Sequence, residues 1–101
     1  MNFDGILFFP VTPFDTAGRV DDDLLRTHVG TTIAHAPGGV FPACGTGEFH
    51  ALSTDEVAQV VRVATETVAG RVPVVAGTGG PLGQAVTLAR AAADAGADAL
   101  L

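Results

Sequence analysis

The fold of this chain is decided by the stretch Gly39-Val40-Phe41-Pro42-Ala43-Cys44-Gly45-Thr46-Gly47-Glu48-Phe49. An apolar run enters a glycine-rich turn with one threonine and one carboxylate, and a helix signal follows, which predicts a strand, a turn and a helix. Such turns in α/β proteins direct backbone N–H groups towards the carboxyl edge of a parallel sheet, where small anions bind. The turn is therefore the first candidate for a functional site.

The same strand, turn and helix plan occurs twice more in the chain. The predicted strands cover Gly5–Val11, Val40–Ala43 and Val72–Ala76, and a fourth begins at Asp98–Leu101. Their centres near Phe8, Phe41 and Val74 recur every 33 residues. Apolar strands that alternate with helices predict a parallel sheet covered on both faces, which is either a (β/α)8 barrel or a doubly wound sheet. A 33-residue period also suits ankyrin repeats, but each unit here opens with a strand and the Thr-Pro-Leu-His signature is missing.

Three helices are predicted between these strands. The first begins at Asp21–Asp23, where the helix dipole favours negative charge. Its predicted apolar face is Leu24, Leu25, His28, Val29, Thr32 and Ile33. The second starts at the capping box Ser53–Glu56, and its stripe is Val57, Val60, Val61, Ala64 and Val68. The third runs from Leu82 to about Ala95, with Pro81 at its first position and Gly96 at its end.

Composition excludes several classes of function. The net charge is −6, and the five cations are arginines, so lysine is absent, as are tyrosine and tryptophan. Nucleic acid and acidic membrane surfaces are therefore poor candidate partners. The single Cys44 cannot form an internal disulfide, no signal segment is evident, and no apolar run reaches the ~20 residues of a membrane span. We expect a cytoplasmic location.

The candidate site residues each have a structural alternative. Gly45-Thr46-Gly47-Glu48 suits a carboxylate or phosphate, but its glycines could instead supply only positive φ, with Glu48 supporting the next helix. Cys44 and His50 could form a nucleophile and base, although a packed, inert cysteine is favoured because no third orienting group is evident. His28 and His35 are seven residues apart, but without a nearby carboxylate or cysteine cluster they do not predict a metal site.

Taken together, three segments resemble the dihydrodipicolinate synthase and N-acetylneuraminate lyase superfamily. They are Gly5–Asp15, Ala43–Phe49 and Val72–Gly77, so the resemblance extends over essentially the whole chain. The single-threonine form Gly45-Thr46-Gly47-Glu48-Phe49 is most similar to the 5-dehydro-4-deoxyglucarate dehydratase branch. The resemblance implies a (β/α)8 (TIM) barrel that binds a 2-oxo acid as a Schiff base on a lysine. About 250 residues are needed for such a barrel, so residues 1–101 are expected to be the amino-terminal part of one domain, truncated after the start of its fourth strand.

The same resemblance implies roles for particular residues. Gly45 and Thr46 would hold the substrate carboxylate through a backbone N–H and the hydroxyl, Thr12 would lie near the pocket floor, and Glu48 would be structural. The Schiff-base lysine and proton-shuttling tyrosine of the family come from later strands, so no catalytic residue is expected in this chain. No metal or diffusible cofactor is implied, and relatives commonly form dimers or tetramers. A related synthase or aldolase, or a non-catalytic binding or assembly fragment, remain alternatives.

Overall fold

The structure, a computed structural model, describes residues 2–101 and consists of four short strands that alternate with three α-helices. In chain order the elements are β1 (Leu7–Phe8), α1 (Asp22–Ile33), β2 (Gly39–Val40), α2 (Thr54–Val68), β3 (Val75–Ala76), α3 (Leu82–Asp94) and β4 (Ala99–Leu100). A short 3-10 helix, Phe49–Ala51, lies between β2 and α2.

The strand order distinguishes between the two predicted architectures, the (β/α)8 barrel and the doubly wound sheet. β1 pairs in parallel with β2, β3 pairs in parallel with β4, and a parallel bridge between Val40 and Val74 joins the two pairs. Neighbours in the sheet are therefore neighbours in the chain. A doubly wound sheet of order 3-2-1-4 would separate β3 from β4, and one of order 2-1-3-4 would separate β2 from β3. The observed order is that of the first three strand-helix units and the fourth strand of a (β/α)8 barrel.

Alternate residues of the strands point to two different apolar layers. Val40, Val74 and Ala76 belong to the main core, between the sheet and the helices. Phe41 and Val75 form a second cluster with Cys44, against which Phe9 and Ala99 pack. The rings of Phe9 and Phe41 stack with centroids 4.5 Å apart. The sheet thus has apolar residues on both faces, and the second face is the one that lines the interior of a barrel.

The predicted starts of α1 and α2 and the apolar stripe of α2 are confirmed. The Asp21 carboxylate accepts a hydrogen bond from the Leu24 amide at 3.0 Å and caps α1. At the start of α2 the Ser53 hydroxyl accepts from the Glu56 amide, and the Glu56 carboxylate accepts from the Ser53 amide. Every residue of the predicted α2 stripe is buried: Val57, Val60, Val61, Ala64 and Val68.

Three details of the prediction are wrong. The strands are two residues long rather than four to seven, because prolines at positions 10, 42 and 73 have no N–H to donate to the ladder. Leu24 is exposed, because consecutive helical residues are about 100° apart and Leu25 is the one that faces the core. Pro81 precedes the first helical residue of α3, since its ψ of 149° is extended.

Two edges of this sheet are unpaired within residues 2–101. β1 pairs only with β2, and β4 pairs only with β3. Several apolar side chains near these edges and on α3 are largely exposed, including Ile6 at 81%, Leu82 at 82% and Leu101 at 62%. Among the described residues no helix has the length and apolar character required to cross a membrane.

We predict that the isolated 101-residue chain self-associates in solution, because open strand edges and exposed apolar side chains favour pairing with other chains. Light scattering coupled to size-exclusion chromatography measures this directly, and we expect oligomers whose mass rises with protein concentration. A monodisperse monomer with one cooperative thermal transition would contradict the prediction and show that these elements are sufficient for a stable unit.

Candidate functional site

The residues Gly45–Glu48, called here the glycine turn, follow β2 at the carboxyl edge of the sheet. The amide of Glu48 donates to the Gly45 carbonyl and the amide of Phe49 donates to the Cys44 carbonyl, both at 3.0 Å. The Thr12 hydroxyl, which is buried, donates to the Gly47 carbonyl at 2.8 Å. The turn is therefore closed on itself and tied to the segment that follows β1.

The glycines of this turn do not supply positive φ, so that structural alternative is wrong. The left-handed conformations belong to Ala43, with φ of 53°, and Glu48, with φ of 62°. Gly47 lies in tight space, because a Cβ there would lie 3.1 Å from the Pro10 carbonyl oxygen. Gly45 has neither constraint, since its φ is not positive and a Cβ would meet no atom within 4 Å.

The turn after β3 lies against the glycine turn. A Cβ on Gly77 would overlap the carbonyl oxygen of Ala43, so only glycine allows this approach. The ring of Phe49 also lies against Gly77 and Gly79. The ends of β2 and β3 therefore meet in van der Waals contact.

A cavity of about 130 Å³, called here the mouth cavity, opens between these two turns. Its lining residues are Cys44, Gly45, Phe49, His50, Gly77, Thr78 and Leu101. A larger cavity of about 520 Å³ lies between α2 and α3, beside Arg62, Glu66 and Asp94. It is a groove between exposed helix faces, whereas the mouth cavity lies where parallel sheets bind ligands, so we regard the mouth cavity as the candidate site.

Backbone donors are available beside the mouth cavity. Gly45 and Thr46 are exposed, and within residues 2–101 neither amide donates to a protein acceptor. Exposed backbone N–H groups at a strand end can bind a carboxylate without any basic side chain. The arrangement therefore suits a small anion.

The predicted site residues lie near the carboxyl edge of the sheet but have different environments. Gly45 lines the mouth cavity, and Thr46 lies next to it on the exposed part of the turn. The Thr12 hydroxyl is engaged by Gly47, so in this structure Thr12 holds the turn in place. The Glu48 side chain is exposed and makes no capping hydrogen bond to the 3-10 helix.

The surroundings of Cys44 and His28 indicate packing roles, and His35 lies on the surface. Cys44 is buried, and burial raises the pKa of its thiol from the usual 9.0 to about 11, the opposite of what a nucleophile needs. His28 accepts a hydrogen bond from the Val11 amide at 3.3 Å and packs edge-on against Phe8. His35 is exposed, and in the described part of the chain no three His, Cys, Asp or Glu side chains are grouped to hold a metal.

Sequence reasoning missed Thr78 as a lining residue of the mouth cavity, and it considered His50 only as a possible base for Cys44. Thr78 lies in the turn after β3, as Gly45 lies in the turn after β2, and its hydroxyl donates to the Ala85 carbonyl at 3.2 Å. The repeat of strand and glycine turn contained this signal, because equivalent turns of a parallel sheet open at the same edge.

The sequential parallel strand order, with helices between the strands, defines the class as a partial (β/α)8 barrel. The family model for the dihydrodipicolinate synthetase family matches residues 2–101. The chain belongs to this family.

Two curated relatives illustrate the similarity. A probable 5-dehydro-4-deoxyglucarate dehydratase of Streptomyces avermitilis is 59% identical over 97 residues, which cover 96% of this chain and 29% of the relative. A probable enzyme of the same name from Oceanobacillus iheyensis is 41% identical, over 96% of this chain and 32% of that protein. The chain thus spans about a third of the length of these relatives.

Solved structures agree with the fold. Dihydrodipicolinate synthase from Bacillus clausii superposes with a TM-score of 0.91 at 36% identity, over 97% of this chain and 33% of that one. A prophage protein of the dihydrodipicolinic acid synthase family from E. coli K12, solved in complex with pyruvate, gives a TM-score of 0.88 at 32% identity, over 95% of this chain and 33% of its own.

We predict that Cys44 resists alkylation at neutral pH, because its buried thiol stays protonated. The rate of modification by iodoacetamide should rise only towards pH 11 in the folded chain, whereas the urea-unfolded chain should react with an ordinary thiol profile. Since the unfolded thiol ionises first, the folded state should lose stability as the pH rises from about 9 to about 11. Mass spectrometry reports on this one cysteine, and rapid alkylation at pH 7 without denaturant would contradict the assignment.

Proposed function

We propose that residues 1–101 form the amino-terminal part of a single-domain barrel enzyme, a Schiff-base-forming lyase. Its proposed reaction removes water and carbon dioxide from 5-dehydro-4-deoxyglucarate and gives 2,5-dioxopentanoate. The names of the Streptomyces avermitilis and Oceanobacillus iheyensis relatives support this substrate. The observation that carries the proposal concerns the backbone of Gly45. A Cβ at this position would meet no atom within 4 Å, its φ is not positive, and within residues 2–101 its amide donates to no protein acceptor.

The glycine turn is the proposed binding site for the carboxylate beside the reactive ketone. The Gly45 amide and the Thr46 hydroxyl would donate to its oxygens, and charge-assisted hydrogen bonds of this kind are roughly twice as strong as neutral ones. Because Gly45 has no side chain, the carboxylate can approach the backbone closely. The buried Thr12–Gly47 hydrogen bond would keep the donors in position.

The proposed chemistry needs an amine that this chain does not provide as a lysine. A protonated imine between a lysine and the ketone withdraws electrons, so that a neighbouring proton can leave and the β-hydroxyl is eliminated. The lysine and a proton-shuttling tyrosine would come from later strands. No metal or diffusible cofactor is part of the proposal.

The substrate assignment also rests on position 45. Dihydrodipicolinate synthases usually have a threonine at this point of the turn, and its hydroxyl joins a proton relay. This chain has Gly45 there, so we propose that the full enzyme favours dehydration and decarboxylation over condensation of pyruvate with aspartate semialdehyde. Assembly as a dimer or tetramer and a cytoplasmic location stay predictions.

A non-catalytic fragment is the second candidate function, since the chain has neither lysine nor tyrosine. It is distinguished from the enzyme by a chimera in which this chain replaces the matching 97-residue segment of the Streptomyces avermitilis relative. We call this chimera the completed barrel.

We predict that the completed barrel forms an imine with a 2-oxo acid and that the isolated chain does not. The only primary amine of the isolated chain is the α-amino group of Met1, which lies outside the described residues. Borohydride reduction followed by mass spectrometry should detect the adduct on a lysine of the completed barrel. An internal adduct on the isolated chain would overturn the prediction, and a folded completed barrel without any adduct would favour the non-catalytic candidate.

Substitutions in the glycine turn test the carboxylate site. In the completed barrel, Thr46→Ala should lower kcat/KM for 5-dehydro-4-deoxyglucarate by about tenfold to a hundredfold, because a hydrogen bond to a charged group is worth ~1.5–3 kcal/mol. Gly45→Ala should lower it by at least about tenfold, because the new methyl group occupies the space of the carboxylate.

The controls separate binding from folding. Thr46→Ser keeps the hydroxyl and should retain most of the activity. Gly83→Ala adds a methyl group in equally open space, on α3, and should leave kcat/KM unchanged. Both Gly45→Ala and Gly83→Ala should preserve the melting temperature to within a few degrees. Unchanged kcat/KM in Gly45→Ala and Thr46→Ala would exclude this turn as the carboxylate site.

A further inference from the structure

His50 is placed at the candidate site by its neighbours. It lies in the 3-10 helix that leaves the glycine turn, is exposed, and lines the mouth cavity together with Gly45 and Thr78. Its ring meets the ring of Phe49 edge-on, with centroids 5.2 Å apart and planes at 84°. Because Phe49 rests against Gly77 and Gly79, the histidine is attached to a supported part of the cavity wall.

Among the described residues that line the mouth cavity, His50 is the one with a basic side chain. None of the arginines lines the cavity within residues 2–101. Arg26 and Arg62 form ion pairs with acidic residues of α1 and α2. Arg71 donates to the Val68 and Thr67 carbonyls at the end of α2. In a chain with net charge −6, an anion at this site can therefore use backbone amides, hydroxyls and the His50 imidazole.

The imidazole ring is free to take a ligand. In the part of the chain that the structure describes, no protein group is hydrogen-bonded to its ring nitrogens. An imidazole can donate one hydrogen bond when neutral and two when protonated, so it can bind a carboxylate oxygen. The glycine turn and His50 thus offer two separate sets of donors around one cavity, so one molecule with two acidic groups can use both.

We propose that His50 is a specificity-determining residue that binds the second, distal carboxylate of a dicarboxylic 2-oxo acid. The inference rests on the proposed function, because it takes the glycine turn as the site of the first carboxylate. Monocarboxylic 2-oxo acids of the same chain length would bind the turn but lack the partner for His50. The site would then select diacids by an additional charge-assisted hydrogen bond.

The test compares two acids that differ only in the second carboxylate. Imine formation with 2-oxoadipate and with 2-oxohexanoate is measured in the completed barrel by borohydride trapping. His50→Ala should reduce the apparent second-order rate with 2-oxoadipate by roughly tenfold to a hundredfold and leave the rate with 2-oxohexanoate nearly unchanged. His50→Gln keeps one N–H donor and should lose less. The control His35→Ala, at an exposed histidine outside the mouth cavity, should change neither rate.

A binding measurement keeps this inference separate from the proposed reaction. Calorimetry with the unreactive acids adipate and hexanoate should show that the completed barrel prefers adipate and that His50→Ala removes the preference. If no imine forms but this pattern is found, the proposed chemistry fails and the role of His50 stands. The role is overturned if the wild-type barrel shows no preference for adipate, if His50→Ala retains the preference, or if it slows both oxo acids equally.

Discussion

Burial of one face of α2 is the interaction on which the rest of the structure depends. Its apolar stripe is covered by the sheet, by α1 and by α3, and each fully buried valine is worth about 1.5–3 kcal/mol. The ion pairs that Arg62 makes with Asp22 and Glu66 lie on the exposed rim, where such pairs contribute about 0–1 kcal/mol. Apolar packing therefore holds α2 in place, and polar contacts such as the Thr65 hydroxyl donating to the Ala95 carbonyl at 2.6 Å align its neighbours.

The position of α2 determines the position of the candidate site. The 3-10 helix and the glycine turn stand directly before α2, so a fixed helix start fixes where the turn can lie. Two left-handed residues, Ala43 and Glu48, bracket the turn, and non-glycine residues in this conformation cost of order 1–3 kcal/mol each unless their surroundings impose it. The Thr12–Gly47 hydrogen bond and the contact between Gly77 and Ala43 supply that constraint. These contacts together hold the backbone of the turn in place at the carboxyl edge of the sheet.

Neighbouring residues of the segment from Cys44 to His50 have different chemical surroundings. Cys44 lies on the inner face of the sheet and is protected by burial. Gly45 faces the mouth cavity with an open backbone, and Gly47 allows close packing against Pro10. His50 reaches the same cavity from the 3-10 helix. A buried thiol, a free amide and an exposed imidazole thus occur within seven residues of sequence, because the chain leaves the sheet and turns towards the helix layer there.

The sequence by itself determined the repeating strand-helix plan, the caps at Asp21 and Ser53, and the stripe of α2, because these depend on local spacing and hydrogen bonds. It also identified the glycine turn as the candidate site, although the roles of Gly45, Thr46 and Thr12 as ligands stay predictions. The exposure of Leu24 was decided by tertiary structure, because it depends on which face of α1 the core covers. The left-handed backbone at Ala43 and Glu48 was decided by the contacts that hold the glycine turn. Only the fold brought Thr78 beside Gly45, because residues that are distant in sequence meet where parallel strands end at one edge, and only the path of the 3-10 helix placed the nearby His50 at the same cavity.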